Sequence, residues 1–375
     1  MTSTFAQLGV PEPIVRALAE KGIVEPFDIQ AATITDLLAD RDVCGRAPTG
    51  SGKTLAFGVP LVATVGRADP KRPCALILAP TRELAEQIAT EIRGFAGKVR
   101  VAAVYGGVGY GRQFAALRSR VDILVACPGR LEDLIEQRAV SLADVEQVVL
   151  DEADRMADMG FLPAVRRLLD QCADDRQTVF FSATLDGDVD ALSRRYQRNP
   201  VVHEVGSDSP DVSDADHHFW NVEKSARAHT AAEAIRAASP AIVFCRTRHG
   251  SDRLVKQLGR AGVTAAAIHG GRNQNQRNRA LASFAEGRIE ALVATDVAAR
   301  GIHVDDVAAV VHYDPPDDHK AYVHRSGRTA RAGRGGHVVS LLQPDQVREA
   351  RRMLKKIGVE GAVTDPRPDR LGVTA

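Results

Sequence analysis

The sequence predicts an α/β protein built as two tandem domains, each a mostly parallel sheet flanked by helices. Three observations carry this expectation. Short apolar, β-branched runs alternate with amphipathic segments along the whole chain, the pattern of repeated strand–helix units. The length of 375 residues suits two domains of ordinary size. Near position 206 the texture breaks into "GSDSPDVSDAD", polar, acidic and without period, after which the alternation resumes.

The elements follow in order. In the first half the expected strands are "CALILAP" (74–80), "VRVAAVYG" (99–106), "DILVAC" (122–127), "QVVLDE" (147–152) and "QTVFFSAT" (177–184). Amphipathic segments such as "TRELAEQIATEIRGF" separate them. In the second half they are "HHFWNVE" (217–223), "AIVFCR" (241–246), "VTAAAIHG" (263–270), "IEALVATD" (289–296), "AAVVHYD" (308–314) and "GHVVSLL" (336–342). The expected division is therefore a domain over 1–206, a linker over 207–216, a domain over 217–365 and a frayed tail over 366–375.

Composition bounds the function classes. Hydrophobic residues make up 44% of the chain, enough for large cores. The apolar runs are all shorter than the ~18 residues of a membrane span. The start, "MTSTFAQLGV", lacks a basic segment followed by an apolar one, so no secretory signal is expected. The five cysteines, at 44, 74, 127, 172 and 245, are scattered without metal-type pairing and suggest reduced thiols in a cytoplasm. The formal net charge of +1 is not that of a protein holding nucleic acid by bulk charge, so any polyanion must meet local patches. The histidines show no metal-ligand spacing, and the single Trp220 reads as a packing residue. A monomer is expected.

Two stretches carry chemistry. In "RAPTGSGKT" (46–54), Gly50 and Gly52 let backbone N–H groups turn inward around phosphate oxygens. Lys53 can reach the β- and γ-phosphates and the Thr54 hydroxyl can ligate Mg²⁺. The helix that follows points its positive end at the same place. Ala47 stands where the general phosphate-loop pattern has glycine. In "VVLDEADRM" (148–156) three carboxylates crowd behind an apolar run, and like charges so close repel. Alone, such a cluster is an ordinary solvated turn. Paired with a phosphate loop it gains a purpose. Asp151 closes the strand and fits a Mg²⁺-holding role, Glu152 is placed to orient or deprotonate an attacking water, and the cation offsets the repulsion.

"DEAD" at 151–154 together with "APTGSGKT" at 47–54 resembles the DEAD-box RNA helicases. Further blocks stand in that family's order across nearly the whole chain. "GIVEPFDIQ" (22–30), with Phe5 upstream, resembles the adenine-reading Q motif. "PTRELAEQI" (80–88), "GG" (106–107) and "CPGR" (127–130) resemble RNA-backbone motifs, and "SAT" (182–184) the coupling motif. "VFCRTR" (243–248), "QNQR" (274–277), "TDVAARGI" (295–302) and "HRSGRTARAGR" (324–334) resemble the remaining RNA and ATP motifs.

The resemblance implies two RecA-like domains with ATP and Mg²⁺ in the cleft between them. Phe5, Gln30, Thr49, Gly50, Ser51, Gly52, Lys53 and Thr54 would bind the nucleotide from one side, Gln30 reading the adenine edge, and Asp296 would touch the ribose from the other. Arg328 and Arg331 would act as arginine fingers on the γ-phosphate. Asp154, Ser182, Thr184 and His324 would couple hydrolysis to RNA. Pro80, Arg82, Gly107, Gly129, Arg130, Gly270, Gln274, Arg277 and Thr295 would contact RNA. The implied activity is RNA-dependent ATP hydrolysis with local, sequence-tolerant separation of short duplexes, the RNA being single-stranded or a short duplex. Departures from the family pattern are Phe27 and Asp28 for threonine and proline, Cys127 for threonine, His303 for aspartate, Ser326 for isoleucine and Ala330 for glycine. Cys127, Ser326 and Ala330 motivate an alternative, an ATP-gated RNA clamp that anchors a complex and unwinds poorly. A non-catalytic scaffold is opposed by the intact Lys53, Glu152, Arg328 and Arg331, and a DNA helicase is disfavoured by the Q motif and the DEAD box.

Overall fold

The computed structural model describes residues 3–47, 51–182, 184, 187–205, 215–296, 304, 307–330, 335–359 and 361–372, except for the side chains of Lys320, Lys356 and Ile357. The chain forms two compact units, Met1–Gly206 and Ser207–Ala375. Each contains one seven-stranded sheet, and every strand pairing is parallel.

The first unit holds β1 (Val43–Arg46), β2 (Ala75–Leu78), β3 (Val101–Val104), β4 (Ile123–Ala126), β5 (Gln147–Asp151), β6 (Gln177–Ser182) and β7 (Val201–Glu204). Their spatial order is β3-β4-β2-β5-β6-β1-β7. Runs such as "ALIL" and "ILVA" are apolar at every position because helices cover both faces. Successive side chains point to opposite faces. Ile77, Val125 and Val149 therefore enter the core under helices 28–38, 53–64 and 82–93. Leu76, Leu124 and Val148 enter the core on the other face, with Leu131 and Leu168.

Every strand anticipated from the sequence is present, but β1, β7 and β14 (Val363–Thr364) were not anticipated. β1, "VCGR", is short and contains a strand-poor glycine. That glycine is required: a Cβ on Gly45 would collide with the Phe181 ring of β6. The close approach seats β1 between β6 and the edge strand β7, and the phosphate-loop sequence follows its carboxyl end.

The second unit holds β8 (Ala215–Asn221), β9 (Ala241–Phe244), β10 (Ala265–Ile268), β11 (Ala291–Ala294), β12 (Ala309–His312), β13 (Gly336–Leu342) and β14. Their order is β10-β11-β9-β12-β13-β8-β14. β8 starts two residues inside the segment read as linker, because Ala215 and Asp216 pair with Gly336 and His337. The tail was expected to fray, and the structure corrects this for its described part. Leu371 is fully buried in the core that also contains Trp220, so Trp220 is a packing residue and the tail is tied down by an apolar anchor. Among the described residues no helix is long and apolar enough to cross a membrane.

Parallel strands have one consequence for function. The loops after their carboxyl ends share one edge of the sheet, the edge where open α/β sheets bind ligands.

Candidate functional site

In the first unit the motif residues follow β1 to β6 along that edge. Gly52 lies in the left-handed region (φ 82°) and caps the helix Lys53–Thr64, so the helix's unpaired N–H groups open toward the loop. Lys53 is buried and its Nζ donates to the Ala47 carbonyl at 2.8 Å, across the mouth of the loop. Gln30 spans two motifs. Its Oε1 accepts from the Phe27 N–H at 2.9 Å and its Nε2 donates to the Gly52 carbonyl at 2.9 Å. Phe5, expected to bind the nucleotide, is 1% exposed and packs in the core of the first unit. Thr49 and Gly50 lie outside the described residues, whereas Ser51 lies within them, half-buried beside Gly52.

The acidic pair is strained and buried. Burial pushes the Asp151 carboxyl up to about 7; the charge of Lys53 opposes this and the charge of Glu152 adds to it. Glu152 has φ 54°, a left-handed conformation that costs a non-glycine residue roughly 1–3 kcal/mol. It is held there by its N–H, which donates to Asp151 Oδ1 at 3.0 Å, and by Arg155, whose Nη1 lies 2.5 Å from Glu152 Oε2. Arg155 was not picked out from the sequence, although its place one residue past the DEAD box was visible. Carboxylate oxygens such as those of Asp151 and Glu152 are hard donors of the kind that suits Mg²⁺. Thr54 has a second-layer partner in Glu91, whose carboxyl is raised by burial and lowered in turn by its hydrogen bond with Thr54.

Ser182, at the end of β6, joins the motifs. Its carbonyl accepts from the Ala47 N–H at 3.2 Å, and its hydroxyl accepts from the Asp154 N–H at 3.2 Å. One fully buried residue thus touches the root of the phosphate loop and the acidic turn. Thr184 is half-buried just beyond it.

The other end of the edge, after β2, β3 and β4, gathers the basic motifs. Thr81 caps the helix Arg82–Arg93 by accepting from the Leu84 N–H at 3.3 Å, with Pro80 buried before it. The Arg82 guanidinium lies on Gly107, in the place a Cβ there would fill. Gly129 is exposed at the start of its helix, and Arg130 next to it turns inward. Its Nη1 donates to the Val108 carbonyl at 3.2 Å and its guanidinium sits 4.1 Å from the centre of the Tyr110 ring. The Tyr110 hydroxyl donates to Asp133 Oδ2 at 3.2 Å. Tyr110 was missed from the sequence, though an aromatic three residues after "GG" was there to see.

In the second unit Asp296 follows β11 and meets an arginine that had no assigned role. Arg325 Nε and Nη2 grip its two oxygens, both at 2.6 Å, while Nη1 donates to the Asp314 carbonyl at 2.7 Å. A carboxylate offers about four lone-pair sites, so this fork orients Asp296 without using up its capacity. The Arg248 guanidinium lies over Gly270, 3.1 Å from where a Cβ would be. Thr295, Gln274 and Arg277, expected as RNA contacts, are buried, Gln274 Nε2 donating to Asn278 Oδ1 at 2.9 Å. His324 is exposed, Arg328 is buried one turn later, and Arg331 lies outside the described residues.

Ala330 takes φ 53°, a conformation that favours glycine. The strain is roughly 1–2 kcal/mol, and glycine gives back about 0.5–1 kcal/mol of it as unfolded-chain entropy. Ala330→Gly should therefore raise stability by a few tenths to about 1 kcal/mol. A urea unfolding midpoint that rises with unchanged slope would agree, and one that falls would show that Ala330 sits without strain.

Residues 27–192 match the family model described as DEAD/DEAH box helicase, and residues 227–333 the one described as helicase conserved C-terminal domain. The chain is 40% identical to DEAD-box ATP-dependent RNA helicase 30 of Arabidopsis thaliana, covering 96% of this chain and 63% of that protein. It is 40% identical to the DEAD-box ATP-dependent RNA helicase CshA of Bacillus licheniformis, covering 92% of this chain and 71% of that protein. The chain thus spans less than two thirds of the plant relative. Among solved structures it resembles yeast Dbp5 bound to RNA and ADP BeF3, with 26% identity, a TM-score of 0.83, and 97% and 95% of the two chains covered. It also resembles a DEAD box protein of Methanococcus jannaschii, with 31% identity, a TM-score of 0.55, and 98% and 100% covered.

Proposed function

The chain belongs to the DEAD-box helicase family, and on that premise we propose that it is an RNA-dependent ATPase that locally separates short RNA duplexes. The observation that carries the reading is the sheet edge of the first unit. Phosphate-loop and acidic residues occupy one end, arginine-bearing loops the other, and Ser182 touches both the phosphate loop and the acidic turn. The matched order of motifs in the second unit and the relatives named above support it.

In this mechanism Lys53 leaves the Ala47 carbonyl for the β- and γ-phosphates of ATP, and Gln30 turns its amide to the adenine edge. Glu152 orients the attacking water and takes its proton. Mg²⁺, held by Thr54 and Asp151 largely through water, would neutralise phosphate charge. Asp296 meets the ribose, and Arg328 with Arg331 stabilises charge on the transferring phosphoryl group, the main task of catalysis here. Because these residues come from the second unit, hydrolysis depends on the two units meeting around ATP. RNA lying across both favours that meeting. Its contacts, from Arg82, the Gly107 and Gly129 turns and the loops after β10 and β11, are to phosphate and sugar and carry little sequence information. Ser182 and Asp154, with Thr184 and His324, pass the state of the nucleotide to the RNA surface. The five free cysteines support a reducing compartment, taken here as the cytoplasm.

One observation favours a clamp that holds RNA without much unwinding. Cys127 opens the helix with Gly129 and Arg130 where the family pattern has a hydroxyl, and burial pushes its thiol up to about 12, leaving a weak neutral donor. Strand displacement of a short duplex, measured beside ATP turnover, separates the readings. Turnover with displacement supports the helicase, and turnover without it the clamp.

Lys53→Ala tests the ATP site itself. Hydrogen bonds to charged groups contribute about 1.5–3 kcal/mol each, so nucleotide affinity should fall on the order of 10- to 100-fold. The variant also removes the charge that opposes burial at Asp151, so that carboxyl should rise further. Calorimetric titration with ATP checks this, and wild-type affinity would refute the assignment.

A further inference from the structure

We propose that Phe27 is an aromatic contact for the base of the bound nucleotide. The inference rests on reading the phosphate loop as an ATP site and adds a recognition element to it.

Three observations point to Phe27. It is 60% exposed, and Val24, three residues earlier in the Q motif, is 63% exposed, two of the few large apolar side chains left in water among the described residues. The ring flanks the phosphate loop: a Cβ on Gly52 would lie 2.8 Å from Phe27 Cδ2. Its backbone N–H is held by Gln30 Oε1, the side chain placed to read the base edge.

Folding does not account for the ring. Phe27 stands at the N-cap of the helix Asp28–Leu38, with φ −70° and ψ 162°. Serine, threonine, asparagine and aspartate are favoured there because their side chains accept a backbone N–H. A phenyl ring has no acceptor, so Gln30 supplies only half of a capping box, and the first helical turn forgoes a side-chain cap. The chain thus gives up a stabilising residue for an apolar surface in water, beside the loop that holds phosphates. Meanwhile Phe5 is packed into the core and has no free face. A nucleotide whose phosphates enter the Gly52–Lys53 turn and whose base edge meets Gln30 passes its flat face beside Phe27. Stacking on a ring is sequence-tolerant because every base has a π-face, so Phe27 adds affinity and Gln30 adds selectivity.

The test is equilibrium titration of the full chain with ATP and with GTP, together with thermal unfolding. Phe27→Thr is the deciding variant because it restores a capping hydroxyl. It should raise the unfolding midpoint and weaken both ATP and GTP by the same factor, on the order of 10-fold. A purely structural residue would move both readouts in one direction. Phe27→Trp should bind within about twofold of wild type, since it keeps a stacking face. Gln30→Ala should instead erase the preference for ATP over GTP. Wild-type affinity in Phe27→Thr, or a loss confined to ATP, overturns the proposal and leaves the ATP site standing. If the wild-type chain binds neither nucleotide, the ATP reading falls and this inference with it.

Discussion

Glu152→Gln should stop hydrolysis while ATP and RNA still bind. The geometry explains why the two separate. The carboxylate is fixed by a strained left-handed backbone, by the Asp151 contact to its own N–H and by Arg155. Glutamine has the same shape and can keep an acceptor toward Arg155, so the turn should survive. It has no basic carboxylate to accept a proton from water, and a positioned general base contributes about 10²- to 10⁴-fold. Asp151 responds in the helpful direction for binding. The Glu152 charge is one of the influences that raise it, so neutralising that charge should lower its pKa and favour the ionised form that a cation needs. With hydrolysis stalled, the ATP-bound RNA complex should outlive that of the wild type. Filter-binding lifetimes with ATP, read beside single-turnover rates, check both halves. Equal lifetimes, or hydrolysis within several-fold of wild type, would show that Glu152 does not act as the base.

Arg328→Ala should lower turnover on the order of 10³-fold, the low end for an arginine finger. ATP affinity should stay within several-fold of wild type, because Lys53 and the phosphate loop remain. Arg328 is buried in its own unit, one turn after the Arg325 that grips Asp296. The same short stretch therefore orients the proposed ribose contact and supplies the finger, so a change here can be felt at two places. The ribose contact is the control. If ATP affinity falls by far more than several-fold, the loss comes from a displaced Asp296 and not from a missing finger. Arg331→Ala should behave similarly, its size depending on the turn that Ala330 strains.

Much of this was legible in the chain, for physical reasons. A parallel strand covered on both faces is apolar along most of its length, so "CALILAP" and "AAVVHYD" declared themselves. Phosphate and cation chemistry demands particular residues at fixed spacing, so "GSGKT" and "DEAD" did too. What escaped depended on contacts far apart in sequence. β1 was hidden because Gly45 looks unsuited to a strand until the Phe181 ring is seen filling its missing side chain. Leu371 is an ordinary apolar residue in a polar tail, and only the core around Trp220 explains it. Arg325 stood inside a quoted motif, but its fork on Asp296 spans 29 positions. Phe5 and Phe27 show the reverse failure. The motif pattern picked out Phe5, and neither its burial nor the exposure of Phe27 can be seen in one dimension. The burial of Gln274, Arg277 and Thr295, polar residues in matched motifs, was equally invisible in the sequence.

The central claim is that one ATP site is completed by both units and that RNA completes it. Single-turnover hydrolysis at saturating ATP, with and without saturating RNA, tests this most directly in three proteins: the full chain, Arg328→Ala, and a fragment ending at Gly206. The account predicts RNA-stimulated hydrolysis in the full chain and on the order of 10³-fold less in Arg328→Ala. It predicts weak nucleotide binding with almost no RNA response in the fragment. Hydrolysis at the wild-type rate in Arg328→Ala, or a full RNA response from the fragment alone, would contradict a shared site.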